Sequence, residues 1–229
     1  MRSAAELIST VWGRPDLMPA ELLRAFDYTG GYVSGAHLGG APTSLVGVCA
    51  GFLGRDAEGV FLHSHVTGVL PSLQGRTVGL ILKQHQRDWA LANGADRIQW
   101  TFDPLVRRNA YFNLTRLGAR AVEYHDDFYG DGTDRWLVRW DVGDRPVAEP
   151  WAAREPVVIL DDDGSGGPRT SDERGLSLAA WIPEDVRDLD ADHAQAWRDA
   201  VRDTVGRAVQ AGYHAVAMSR TGWYQLERP

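Results

Sequence analysis

The chain has 229 residues, 44% hydrophobic and 24% charged, which is enough apolar content to bury a core as one large domain or two small ones. A formal net charge of -7 argues against nucleic acid or an anionic membrane as the main partner, because affinity there rests on clustered Lys and Arg. The single cysteine, Cys49, excludes an intramolecular disulfide, and no run approaches the ~20 apolar residues of a membrane span.

Met1 to Thr10 lacks the apolar centre of a signal peptide, so a cytoplasmic location is the expectation. Pro19 to Phe26 reads as a short helix, with Pro19 pre-set for the first turn and Leu22, Leu23 and Phe26 on one face. Tyr32 to Leu38 and Leu45 to Phe52 read as strands joined by a turn at Gly39 to Thr43, and the neighbours of Cys49 make it a buried strand thiol. A second turn at Gly54 to Gly59 leads into a strand over Val60 to Val69. Pro71 to Gly75 break that pattern, and from Val78 a helix follows with Val78, Ile81, Leu82, Trp89, Ala92 and His85 on one face. Asn93-Gly94 caps the helix, and Arg97 to Phe102 is a strand reached by a helical crossover, hence parallel to the one before it. A second helix carries Val106, Ala110, Leu114 and Leu117 and stops at Gly118. Strands at Ala121 to Tyr124 and Arg135 to Val142 follow.

From Gly143 to Gly175 the composition turns loop-like, with four prolines, Asp161-Asp-Asp-Gly-Ser-Gly-Gly167, and one apolar run at Val157 to Leu160. The aspartates fit a solvated turn better than a metal site, and no metal is expected. The tail is structured: a strand at Leu176 to Ile182, a helix over Ala191 to Gln210 with Ala194, Trp197, Val201, Val205 and Ala208 in one stripe, and a hairpin of His214 to Ser219 with Trp223 to Leu226.

The junction at Val69 to Gly79 has the chemistry of a diphosphate site. First-turn amides of a helix lack internal partners and sit at the positive end of its dipole. Gly75 and Gly79 permit close backbone approach and Arg76 adds a full charge; an ordinary strand-to-helix turn is the competing reading. Gln74-Gly75-Arg76-Thr77-Val78-Gly79, with Val69-Leu70-Pro71 ahead of it, resembles the acyl-coenzyme A loop of the GNAT (Gcn5-related N-acetyltransferase) superfamily, with Thr77 in place of one glycine. The resemblance implies an α/β fold: a mixed sheet with an antiparallel N-terminal meander, a parallel βαβ acyl-CoA unit, and an αβ C-terminal extension. The corresponding segments are residues 1–143 as core, 144–175 as connection and 176–229 as extension. It also implies that Val69, Gln74, Gly75, Arg76, Thr77, Val78 and Gly79 bind the coenzyme.

Acyl transfer to an amine needs a proton acceptor, a polarised carbonyl and a departing thiolate. His63 and His65 alternate on one strand face, and a histidine near its reference pKa suits the first task. His63-Ser-His65-Val-Thr-Gly-Val69 resembles the His-x-His strand of the arylalkylamine N-acetyltransferases. That resemblance makes His65 the general base, His63 its assistant, and the Thr67 amide the carbonyl donor. Leu114 stands where the family has a tyrosine acid, which leaves Tyr111 or no side chain for that role. Asn109 and Asn113 could meet the pantetheine amides or be solvated, and Asp103 could bind an acceptor ammonium or cap the next helix. The donor is expected to be acetyl-CoA or another short acyl-CoA, with succinyl-CoA included, and the acceptor a small-molecule primary amine; a homodimer is left open. The rival is a non-catalytic acyl-CoA-binding module, which Thr77 and Leu114 favour.

Overall fold

The computed structural model describes residues 1–15, 17–39, 45–143 and 155–228. Two compact units emerge, Met1–Trp100 with Asp141–Asp144 and Thr101–Trp140 with Arg145–Pro229.

The first unit opens with two helices, α1 (Arg2–Trp12) and α2 (Ala20–Tyr28). Composition gives no hint of α1, yet Leu7 and Ile8 are buried on it, and Gly13 in the left-handed conformation returns its amide to Ser9. Pro19 starts α2 as the sequence predicts. Strands β1 (Tyr32–His37), β2 (Leu45–Asp56), β3 (Gly59–Val69) and β4 (Arg97–Phe102) follow in that spatial order. The meander β1–β2–β3 is antiparallel, and β3 pairs parallel with β4 across the crossover helix α3 (Val78–Ala92). Of the expected turn at Gly39 to Thr43, residues 40–43 lie outside the described residues. The next turn is tighter than expected. β2 runs on to Asp56, and the reversal is made at Ala57-Glu58, where the Glu58 amide donates to Asp56.

Leu7, Ile8, Met18, Leu23, Val48, Ala50 and Val66 form one apolar cluster on the α1/α2 face of the sheet. On the other face α3 lies so close over Gly47 that a β-carbon there would stand 2.9 Å from Leu82. The buried stripe of α3 is Leu82, Lys83, Gln86 and Ala90. The expected stripe is thus corrected: Ile81 is 56% exposed, and His85 and Ala92 also face out. A lysine and a glutamine replace them inside because each finds polar partners there.

The second unit contains α4 (Arg107–Ala110), β5 (Arg120–His125), β6 (Arg135–Asp141), β7 (Val157–Asp162), β8 (Pro168–Thr170), β9 (Ser177–Trp181), α5 (Ala191–Val201), α6 (Arg207–Gln210), β10 (His214–Met218) and β11 (Trp223–Glu227). Its strands run in the order β6-β5-β10-β11-β9-β7-β8. Both expected helices contain a wider, π-type turn, Tyr111–Arg116 after α4 and Arg202–Gly206 between α5 and α6. In the first, the Leu117 amide reaches back to Phe112, and the Thr115 hydroxyl both donates to Met218 O and accepts from Met218 N. The stretch expected to be loop-like holds a strand pair, β7–β8, and the Asp161 to Asp163 carboxylates are spent on its turn, on the amides of Asp162, Gly164, Ser165 and Gly167 and on Arg169. Among the described residues no helix is long and apolar enough to cross a membrane.

A buried carboxylate ties this unit together. Asp134, 3% exposed, accepts from the Tyr124 hydroxyl, the Asp127 amide and both ends of the Arg202 fork. Burial opposes its charge, but the bonds from Arg202, Asp127 and Tyr124 outweigh that and hold its carboxyl below the usual range. Asp134→Ala is expected to cost about 3 kcal/mol, because it strands the buried Tyr124 hydroxyl and the Arg202 guanidinium together. The urea midpoint of unfolding checks this, and a loss under ~0.5 kcal/mol would show the network to be dispensable.

Candidate functional site

Strand β3 ends at Val69, and the Gln74 amide group folds back to donate to Val69 O at 3.0 Å. That bond fixes the loop between Pro71 and Thr77. Gly75 takes φ 74 with open space above its α-carbon, a conformation that strains any other residue. α3 then starts without a side-chain cap at Thr77, and its first intrahelical amide to find a partner is that of Ile81, which donates to Thr77 O. Among the described residues the amides of Gly75, Arg76, Thr77, Val78 and Gly79 donate to no protein acceptor. A fifteen-residue helix therefore presents unpaired donors and the positive end of its dipole at an open glycine turn, beside the exposed Arg76. Such a set can hold an anion. Gln74 is engaged twice over, its side chain donating to Val69 O and its backbone amide to Pro71 O, so it shapes the loop and is not one of the open donors.

The other end of β3 supplies the histidines. Across the β2–β3 ladder Ala50 faces Val66 and Gly51 faces Ser64, so His65 is one residue too many: a β-bulge. The bulge turns Ser64 towards α3, where Lys83 reaches its hydroxyl, and leaves both rings on the opposite side with Phe52. The rings of His63 and His65 stand 5.9 Å apart between centroids, and Phe52 packs 5.0 Å from His63 and edge-on with Phe26 at 5.3 Å. Burial, then His65, then the Lys83 ammonium push the His63 imidazole down to about 4, and burial lowers His65 as well. Both are thus uncharged at neutral pH and able to accept a proton. His65 is the more exposed, at the place where the ring meets solvent. Thr67 stands opposite Cys49 in the ladder, with its hydroxyl 3.0 Å from the buried thiol.

The remaining sequence-derived residues belong to the second unit. The Tyr111 hydroxyl accepts from Arg220 Nε at 3.2 Å, and the same guanidinium lies 5.5 Å over its ring. Asn109 is exposed; Asn113 is buried, and its carbonyl accepts the Ala119 amide to close the helix end at Gly118. Leu114 is a core residue at 1% exposure. Asp103 is buried, accepts from the Leu105 amide at 2.8 Å and lies 3.6 Å from Arg198 of α5.

Sequence reasoning overlooks one group in the first unit. Lys83 Nζ, 3% exposed, donates to Ser64 Oγ at 2.8 Å and Gln86 Oε1 at 3.0 Å, and lies 3.9 Å over the Trp100 ring. No carboxylate pairs with it among the described residues, and burial lowers its pKa to about 8. The only local signal is its place next to Leu82 and one turn before Gln86 and Ala90, on the inner stripe of α3.

No protein-family model matches the chain, and no curated protein sequence does. Among solved structures the fold is similar to aminoglycoside 6'-acetyltransferase type Ii, with 15% identity and TM-score 0.51 over 63% of this chain and 91% of that one. It is also similar to an aminoglycoside 6'-N-acetyltransferase complexed with coenzyme A, with 13% identity and TM-score 0.50 over 63% and 92%.

Proposed function

The chain has the fold of the Gcn5-related N-acetyltransferase superfamily, and on that premise we propose that it is an acyl-CoA-dependent N-acyltransferase acting on a primary amine of a small molecule. The observation that carries this is the set of unpaired amides from Gly75 to Gly79 at the uncapped start of α3. They would take the pyrophosphate of the coenzyme, with Arg76 adding a charge-assisted bond. The acyl group, acetyl or a dicarboxylic chain such as succinyl, would then lie along the end of β3, with the Thr67 amide polarising its carbonyl. The amine nitrogen attacks the thioester carbon, a C–N bond forms and the C–S bond breaks. The ammonium proton passes to His65, directly or through water, with His63 assisting. The electron pair of the broken bond leaves on sulfur. A thiolate is a far weaker base than an alkoxide or an amide anion and can depart without a side-chain acid, which suits a helix carrying Leu114 where the family has tyrosine.

Calorimetric titration with coenzyme A tests the premise of binding. Wild type should bind, Arg76→Ala should bind about tenfold more weakly, and Gly75→Val, which both strains the turn and fills its open side, should lose more. An unchanged dissociation constant in both variants would remove the loop from the site. Thiol release from acetyl- and succinyl-CoA across a panel of amino acids, aminoglycosides and aryl amines tests the transfer itself. Binding without turnover on the whole panel would favour the non-catalytic sensing module instead.

A further inference from the structure

The parallel pairing of β3 with β4 is two residues long, Leu62 with Ile98 and His63 with Gln99. Ser64 and Trp100 are the next residues on the two strands, and the Lys83 ammonium touches both, by a hydrogen bond to the Ser64 hydroxyl and by its place over the Trp100 ring. Its third contact, Gln86, comes from its own helix, and Gln86 Nε2 beside it is buried with no partner among the described residues. A methionine or leucine would fill this space without the desolvation a buried cation suffers.

The charge therefore has to be accounted for by what surrounds it. From β2 the neighbour is the buried Cys49 thiol, held by Thr67. From β1, Tyr32 stands beside Cys49 and shares a hydrogen bond with His85 on the outer side of α3. From β3 come Ser64 and the two imidazoles that flank it in the chain, and from β4 the nearest charged group, Arg97, is directed to Asp56 and Asp96. On the α1/α2 side of the rings, α2 presents Phe26, while its Asp27 is paired with Arg24. The cation acts, then, on the Cys49 thiol on one side and on His63 on the other.

We propose that Lys83 is a positioning residue for the histidine pair: its bond to Ser64 fixes the bulged backbone on which both rings ride, and its charge keeps the inner ring, His63, from holding a proton. This rests on the reading of His65 as general base. A relay needs an inner member that passes a proton outward and does not trap it, and a fixed positive charge behind His63 gives that direction. Burial first, and this charge in addition at His63, keep the pair ready in mildly acidic solution, where an ordinary histidine would be protonated.

Imidazole titration by NMR, in the full chain without ligand, tests this independently of turnover. In Lys83→Met the His63 midpoint should rise by roughly half a pH unit or more, while Lys83→Arg, which keeps the charge, should leave it near the wild-type value. If the methionine variant does not fold, Lys83→Gln, which drops the charge and keeps a polar group toward Ser64, carries the same comparison. In thiol-release assays the acid limb of kcat/KM should move in the same direction, upward, with KM for the acyl-CoA unchanged. Coincident His63 titrations in wild type and the neutral variant would overturn the proposal. A wild type that binds and turns over acyl-CoA but is indifferent to His65→Ala would overturn the base assignment instead, and the titrations would still decide what Lys83 does.

Discussion

His65→Ala lowers kcat of the proposed transfer by about 10²- to 10⁴-fold, the range for losing a general base, while coenzyme A affinity stays at the wild-type value. The two effects separate because the coenzyme's phosphates would be held some distance along the chain, at Gly75 to Gly79, by backbone groups this substitution does not touch. His65 is exposed and, among the described residues, makes no hydrogen bond that packing depends on, so the variant should unfold within ~0.5 kcal/mol of wild type. His63→Ala should cost less, because the outer ring remains. If the rings act as a relay, the double variant should be no worse than His65→Ala alone, the non-additivity expected of groups that work as a unit. In wild type the acid limb of kcat/KM should lie below pH 6.5, because burial lowers both imidazoles and His63 titrates near 4. Turnover that survives both single substitutions and the double one would end the histidine mechanism.

The second large effect is on stability, and it is set by pH. Lys83 has a folded-state pKa of about 8 against a model-peptide value of 10.5. Below pH 8 both folded and unfolded chains carry the proton, and this group adds no slope. Between 8 and 10.5 the unfolded chain binds more protons than the folded one, so stability from this group rises with pH and levels off above 10.5. The span of about 2.5 pH units corresponds to roughly 3 kcal/mol. Other groups titrate in the same range, tyrosines among them, so the quantity to measure is the difference between wild type and Lys83→Met. That difference should swing in favour of wild type by up to about 3 kcal/mol from pH 8 to pH 10.5 in urea unfolding. At pH 7 the variant escapes the desolvation penalty but leaves Ser64 and Gln86 without their donor, and the two nearly cancel. A difference that stays flat with pH would mean that the ammonium is hydrated in solution.

Much of the fold is legible from local pattern. Val60 to Val69 alternates and is β-branched, Pro71 to Gly75 breaks it, and the chain after Val78 has helical spacing, so β3, the loop and α3 come out in place. The tail from Leu176 is as clear, because Pro183 and Gly212 mark its ends and Thr221-Gly222 its turn. What escapes depends on partners distant in sequence. Lys83 is inside only because Ser64 and Trp100 come to it from two strands, and rules of composition place a lysine outside. The bulge at His65 is a property of the β2–β3 register, which neither strand carries alone. Helix α1 has the stripe Ala4, Leu7, Ile8 and Val11, but its burial is settled by packing against Val48 and Ala50. The site follows the same division. The loop amides and the histidines are readable from spacing, whereas the engagement of Gln74 with Val69, Tyr111 with Arg220 and Asp103 with Arg198 is not.

The surplus residue in β3 reverses the parity of the strand. Upstream of it odd-numbered positions look one way; downstream, the even-numbered ones do. Removing His65 would make the ladder continuous and keep the outlook of every residue on either side of it: Ser64 would still lie under α3 and Val66 on the α1/α2 face, and only the outer ring would be lost. Deletion of His65 should therefore leave the strand folded, whereas a deletion away from the bulge, where no surplus residue absorbs it, turns part of the strand to the wrong face and should be far more damaging.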